Sequence, residues 1–390
     1  MHFPISDDAC KEPRPTPLYA ACASYSVTNS WTAVNGFAAA RVYSKAEDEY
    51  RAASVDAALV DLGPLCRYTL RGPDAASALA RLTTTPVHEL AVAESARGLI
   101  LDADGAVANF ADLTRLSGDL YLLTTATPAD RRLDLAARGF DLSLANVGAE
   151  VAALGIVGPA AREAAAAAGI DLLSADASAQ GRVRGVELAV RPINFGAAPG
   201  VEIIYPAEDA LVIWERLKRK RLLPVAGIEA LEILRIEGGA PRLGVDFENA
   251  DFADAADKRR PDEIGLPHLA PPNRAWFNGR RAMKSAMDPE RYLVVLTIDA
   301  DAAPVGASVF CRNETVGRVT SAAFSPRLRR ALCFADIKAS ALGRPLEVGS
   351  GPGGAGGRIG ALLHDTAESR LAAAFRESLR GATDFRRSNV

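Results

Sequence analysis

The sequence has no surplus of basic charge, no long apolar run and almost none of the compact motifs that mark catalytic or metal-binding chains. Lys and Arg total 45 against 48 Asp and Glu, a net charge of −3. A general nucleic-acid binder shows a basic surplus or stripe, so no nucleic-acid partner is expected. No uninterrupted stretch of about 18 apolar residues is present to cross a bilayer. The opening MHFPISDDACKEPRP brings Asp7, Asp8 and Glu12 early, whereas a secretory signal needs a basic start and then an apolar run. The expectation is a cytoplasmic protein with no membrane partner. Cysteines are few and odd in number: Cys10, Cys22, Cys66, Cys311 and Cys333. No Cys-x-x-Cys pair occurs, so a four-ligand zinc site is not expected; buried, reduced thiols are. The four histidines (His2, His88, His268, His364) are scattered, with no His-Glu-x-x-His, and no metal site is expected. There is no G-x-x-x-x-G-K-[ST] and no G-x-S-x-G. GPGGAG at 351–356 satisfies G-x-G-x-x-G, but too little chain follows for the βαβ unit that a dinucleotide fold requires. It reads as a linker.

What is present is a soluble globular composition, 49% hydrophobic and 24% charged. At roughly 150 residues per domain, 390 residues correspond to two or three domains. Residues 1–17 are polar and proline-rich and read as a flexible arm. Gly72-Pro73-Asp74 is a turn, with Asp74 placed to cap the helix AASALARL. LILDADGAVANFADLTRL gives two strand-like runs around an Asp-Ala-Asp-Gly turn, a hairpin signal. A helix is expected at 159–168 and strands at 183–190 and 201–205. The clearest helix is 207–220, with Ala210, Ile213, Trp214 and Leu217 on one face. Its acidic start and basic end suit the helix dipole, and the basic cluster Lys218-Arg219-Lys220 reads as a solvated helix end. GIEALEILRIEGG (227–239) is another helix. From Tyr292 to Val348 short apolar runs alternate with turns, as in a small β-barrel or sandwich.

Seven ordered landmarks then carry a resemblance. They are TPLY (16–19), EY…AALVDLG (49–63), LRGPDA (70–75), APGVEIIYPAEDALVIWERL (198–217), GIEALEILRIEGGAPRLGVDF (227–247), FNGRRAM (277–283) and VGRVTSAAFSP (316–326). In this order they resemble the aminomethyltransferase superfamily, the glycine-cleavage T-proteins and their folate-binding relatives. The resemblance implies an α+β fold of three domains in a ring, with tetrahydrofolate in the central channel. Residues 18–285 would form two intertwined α+β domains, 286–348 the C-terminal β-barrel, and 349–390 a glycine-rich linker and helical tail. It also implies one-carbon chemistry, with a methyl or aminomethyl donor as second substrate and a partner protein in some members.

The resemblance places residues unevenly. The T-protein motif Tyr-Thr-Gly-Glu-x-Gly-[Phe/Tyr]-Glu falls on Phe195 to Glu202, keeping the glutamate that holds the pterin as Glu202. The tyrosine is Phe195. The family's Leu-Arg-x-Glu-x-Gly arginine is Arg235, for which a helix-end ion pair with Glu232 or Glu237 is the other reading. Cofactor contacts are thus expected at Glu202, Arg235, Phe195 and Asn109. The acidic pair that T-proteins carry in the hairpin is replaced by Ala108 and Asn109. An amide can hydrogen-bond but cannot act as a base, so no catalytic residue is assigned. The hairpin LDADGAVANFADL is similar to that of YgfZ-type members, which bind folate and serve iron–sulfur cluster maintenance or tRNA modification. Their signature cysteine, however, falls on Trp276. Three readings follow: a folate-dependent one-carbon transferase with an unusual donor, a non-catalytic folate-binding accessory protein, or an interaction subunit that retains the fold without folate.

Overall fold

The computed structural model describes residues 12–170, 179–273, 276–349 and 355–362. Two five-stranded antiparallel sheets and a closed six-stranded barrel make up most of it. The first sheet runs Ser95–Leu101, Val107–Arg115, Leu120–Thr125, Cys66–Arg71, Ser143–Asn146. The second runs Ala179–Val183, Val186–Phe195, Ala198–Pro206, Val151–Val157, Ala58–Asp61. The chain leaves the second sheet after Asp61, builds the first, and returns at Val151. The two units therefore intertwine in sequence.

Local chemistry explains these elements. The Asp102–Gly105 turn reverses the chain with Gly105 at φ 83°, and the Asp102 carboxylate accepts the N–H groups of Asp104 and Ala106. Helix Ala210–Lys220 buries the expected stripe of Ala210, Ile213, Trp214 and Leu217. Its acidic start, Glu208 and Asp209, forms a preceding 3-10 turn, Ala207–Asp209. At its basic end Lys218 donates to Leu223 O and stands 4.0 Å from the Tyr25 ring centroid. Helix Ile228–Glu237 is buried on nearly all sides. Its end meets the turn between Phe195 and Ala198 so closely that a Cβ on Gly238 would lie 2.0 Å from the Gly196 carbonyl carbon.

The structure differs from the sequence expectations in three places. Asp74 occupies the N-cap of helix Ala75–Leu82 but makes no capping bond; its carboxylate accepts the Asp141 N–H at 2.9 Å instead. Within the expected arm, Arg14 bridges to Phe37 and Thr16 is buried against Asp61; residues 1–11 lie outside the described residues. The barrel does not end at 348. Strand Ala355–Leu362 pairs with both Leu346–Gly349 and Arg291–Ile298 and closes it. The expected helical tail from 363 lies outside the described residues.

Candidate functional site

Pairing register brings a row of polar side chains across the first sheet. Arg97 lies opposite Asp112, Asp112 opposite Thr124, and Thr124 opposite Arg67. Directly paired residues project from the same face of a sheet, so the four form one line across four strands. In the second sheet Glu202 lies opposite Arg191. The faces meet where Arg67 Nη2 donates to Glu202 Oε1 at 2.7 Å. The result is an alternating series, Arg97–Asp112 and Arg191–Glu202–Arg67.

Each member is fixed. Arg97 grips Asp112 with two parallel bonds, Nε–Oδ1 at 2.7 Å and Nη2–Oδ2 at 3.0 Å, the planar fork that favours arginine for carboxylate pairing. Arg191 Nε donates to Glu202 Oε2. Arg67 also donates to the carbonyls of Leu62 and Leu65. Glu202 and Arg67 have no exposed side-chain surface. Burial alone would raise the Glu202 carboxyl; Arg191 and Arg67 outweigh it and hold the group below the ordinary glutamate value. Burial opposes ionisation of Asp112 too, and there Arg97 and Arg191 prevail and depress its pKa.

Beside this series a small cleft, about 250 Å³ only when the open solvent at its mouth is counted, is lined by Leu65, Arg97, Phe110, Asp112, Thr124, Thr125 and Ala126. Its walls are thus part apolar, part guanidinium, carboxylate and hydroxyl. Among the described residues, three buried polar atoms of the series have no hydrogen-bond partner: Arg67 Nε, Arg191 Nη2 and Thr124 Oγ1. His268 lies near enough to Arg97 for that charge, after burial, to lower its pKa. Among the described residues no group of three or more His, Cys, Asp or Glu is arranged to hold a metal. Burial pushes the Cys66 and Cys333 thiols up to about 12, which removes both as thiolate nucleophiles at neutral pH.

The residues singled out from sequence occupy different layers. Glu202 is mid-strand in Ala198–Pro206, in the charged series. Asn109 is next to the cleft but committed to the chain. Its amide donates to Thr127 O and Thr127 Oγ1, each at 2.9 Å, and its oxygen accepts the Ala126 N–H at 3.2 Å. It therefore shapes the turn that supplies Ala126 to the cleft wall. Ala108 sits at a register shift, since Asn109 pairs with Ile100 while Val107 pairs with Leu101. Phe195 packs in the core with Val34, Tyr50, Leu231 and Leu234. Arg235 bonds Asp246 at 2.7 Å and Glu232, while Asp246 also accepts the hydroxyls of Thr320 and Ser321 in the barrel. Of the two partners expected for Arg235, Glu232 is present; Glu237 instead takes Tyr50, Ser325 and Arg327. Trp276 is 62% exposed. The neighbouring Phe277-Asn278-Gly279 segment packs on the hairpin turn, with Asn278 Nδ2 donating to Leu101 O at 2.8 Å. Sequence reading missed Arg67, Arg97, Thr124 and Arg191. Their only advance signal is placement at polar positions within otherwise apolar strands.

Comparison with known proteins follows this geometry. Residues 18–257 match the family model described as the GCVT N-terminal domain. Residues 291–355 match the glycine cleavage T-protein C-terminal barrel domain. A probable aminomethyltransferase of Halobacterium salinarum is 29% identical over 294 residues, covering 72% of this chain and 79% of its own. An aminomethyltransferase of Symbiobacterium thermophilum is 29% identical over 329 residues, covering 78% and 85%. The crystal structure of the glycine cleavage system aminomethyltransferase T of Bartonella henselae superposes with a TM-score of 0.78 at 20% identity, covering 88% of this chain and 95% of that one. That likeness establishes the fold.

Proposed function

Because the chain belongs to the glycine-cleavage T-protein family, we propose that it is a tetrahydrofolate-dependent one-carbon transferase whose donor is not the lipoyl-borne aminomethyl group. Tetrahydrofolate would supply the ring nitrogen that accepts the carbon. The carrying observation is Glu202, a buried carboxylate kept ionised and aimed by two arginines. A carboxylate has about four lone-pair sites. Arg67 and Arg191 use two of them, which leaves lone pairs for the paired N–H groups of a pterin edge once Glu202, fully buried here, is uncovered.

In this reading Glu202 contacts the pterin, and the other expected residues position it. Ala197, in the turn between the strand ending at Phe195 and the one carrying Glu202, donates its N–H to Leu234 O at 3.0 Å. Phe195 and Arg235 anchor the two sides of that contact. Asn109 holds the 126–127 turn against the cleft. None of these supplies a base. Asp112, the cleft's own carboxylate, is ionised but paired with Arg97 and too weakly basic, whereas a general base works best with a pKa near the operating pH. The donor must release its carbon without a carboxylate at position 108 or 109.

The test is calorimetric titration of tetrahydrofolate into the full chain, with Glu202→Asp alongside. The aspartate keeps the charge between the arginines and withdraws its oxygens by one methylene. Saturable binding to wild type, weakened roughly tenfold in Glu202→Asp with the fold intact, is the expected result. No binding to wild type removes the folate reading. Binding with no one-carbon transfer from any supplied donor favours the accessory function instead, for which the missing acidic pair at Ala108-Asn109 speaks.

A further inference from the structure

Glu202 is fully buried, yet the folate reading needs its carboxylate to touch a ligand. Part of its cover is one side chain on a short loop. Across the second sheet the register runs Val60, Gly155, Glu202, Arg191, so these four share a face. Gly155 leaves a notch in that row beside Glu202. The Leu62 side chain fills it: a Cβ on Gly155 would lie 3.0 Å from Leu62 Cδ1. Leu62 opens the crossover loop 62–65 between strands Ala58–Asp61 and Cys66–Arg71. The carbonyls of Leu62 and Leu65 accept the Arg67 guanidinium, so the loop also wraps the arginine that holds Glu202.

The loop is tied from two sides. Asn35 Nδ2 donates to Pro64 O at 2.9 Å and to Ala126 O at 2.8 Å. Asn35 and Gly36, at φ 48° and 77°, form the tip of the hairpin made by Ser30–Val34 and Phe37–Val42. That hairpin is a two-stranded sheet of its own, paired with neither five-stranded sheet. Two strands alone are marginally stable, and the least stable units of a fold open first. On the other side Asp61 accepts the Thr16 hydroxyl and the Gly63 N–H. Thr16 is two residues from Leu18, which has no exposed surface and packs in the core under the second sheet. This second tie is therefore the fixed one.

We propose that Leu62 is a removable plug over Glu202, that Asn35 is its latch, and that loop 62–65 swings out from its Asp61 end to admit the flat ring of a pterin. With the loop out, Glu202 stands beside an apolar floor of Val60 and Gly155. Opening also breaks both bonds from Arg67 to the loop carbonyls, so the closed state predominates. Apparent affinity is then reduced by the fraction of molecules that are open. The inference rests on the folate reading for its ligand; the latch itself does not depend on it.

Hydrogen exchange followed by mass spectrometry reports the latch without ligand, and calorimetry with tetrahydrofolate reports the plug. Both use the full chain. Asn35→Gly keeps the positive φ at the tip and removes the amide that ties the loop. Exchange in peptides covering 62–67 should quicken roughly tenfold, as for the loss of two ordinary hydrogen bonds, with strand Val151–Val157 unchanged. Tetrahydrofolate affinity should rise by a similar factor. Leu62→Ala shrinks the plug and should bind tighter although it melts lower; a leucine that only fills the core would lower the melting temperature and leave affinity unchanged. Thr16→Cys combined with Gly63→Cys is the opposite perturbation. A Cβ on Gly63 would lie 3.0 Å from Thr16 Cβ, which a small shift brings to the about 3.5–4.5 Å of a disulfide. The oxidised double variant should lose tetrahydrofolate binding and regain it on reduction. Unchanged exchange at 62–67 in Asn35→Gly, or equal affinity in wild type, Asn35→Gly and the oxidised double variant, overturns the proposal and leaves the folate reading standing. Faster exchange with no tetrahydrofolate binding by any form overturns the folate reading and leaves the latch standing.

Discussion

Replacing Glu202 by glutamine is, on sequence grounds, a clean removal of one ligand acceptor. In the structure it is first a stability experiment. The side chain separates two guanidiniums that have 0% and 5% exposure, Arg67 and Arg191. Glutamine offers one carbonyl oxygen to one arginine and turns an NH₂ toward the other. Two buried positive charges then lack a counter-charge. Removing one partner of a buried ion pair costs about 3–5 kcal/mol. A loss of 1 kcal/mol lowers the melting temperature of a unit of 150–250 residues by roughly 2–4 °C, so Glu202→Gln should melt about 6–20 °C below wild type. The pH dependence gives a second handle. The folded-state pKa of Glu202 is depressed, so its contribution is complete above the unfolded value of about 4.3 and is lost as pH falls toward the folded value. The gap between wild type and variant should be constant from about pH 7 to 5 and shrink below about 4. Circular-dichroism melts of both proteins across that range measure it. A gap under about 3 °C at neutral pH, or one that does not narrow in acid, would refute the buried triad.

Three further outcomes follow from the same packing. Asp246→Asn removes one of the two carboxylates paired with Arg235, Glu232 remaining, and weakens the bonds to Thr320 and Ser321; a loss of about 1–3 kcal/mol is expected, with the barrel melting as a separate calorimetric transition, and a single transition at the wild-type midpoint would contradict this. Gly238→Ala pushes a methyl to 2.0 Å from the Gly196 carbonyl carbon; the turn between Phe195 and Ala198 must move, at about 3 kcal/mol, the upper end for overpacking, and chemical denaturation reads the change. With a lipoylated, aminomethyl-loaded carrier supplied, methylene-tetrahydrofolate formation should fall about 10²–10⁴-fold below a T-protein carrying the acidic pair, the usual loss for a missing acid–base group; rates equal to such a protein would remove the argument from Ala108 and Asn109.

Elements with strong local periods were legible, and those defined by distant partners were not. The stripe Ala210, Ile213, Trp214, Leu217 names its helix face without any other part of the chain. The Asp102–Gly105 turn declares its hairpin in the same way. Strand Ala355–Leu362 reads AGGRIGAL, and its three glycines give almost no β signal. It becomes a strand because the barrel's two edges, Leu346–Gly349 and Arg291–Ile298, need a partner between them. Asp74 shows the same limit on a smaller scale. A good capping residue stands at the right position, but the Asp141 N–H, 67 residues away, takes its carboxylate.

The site divides along the same line, and the division bears on function. Glu202 can be singled out from the sequence because it ends a contiguous motif. Arg67, Arg97 and Arg191 stand on three different strands, and nothing near them in the chain marks them as a set. Register alone joins them, first Arg97 to Asp112 to Thr124 to Arg67, then Arg191 to Glu202. Thus the replacement of the acidic pair by Ala108 and Asn109 cannot be weighed by itself. Where other members of the family place carboxylates, this chain has an alanine at a register shift and an amide spent on a turn. Its remaining carboxylates, Asp112 and Glu202, are held by arginines and kept charged. Carboxylates held this way are poorly suited to taking protons. On the one-carbon-transfer reading proposed above, rate enhancement comes from positioning a donor that already carries a competent leaving group, with proton transfers left to that donor or to water.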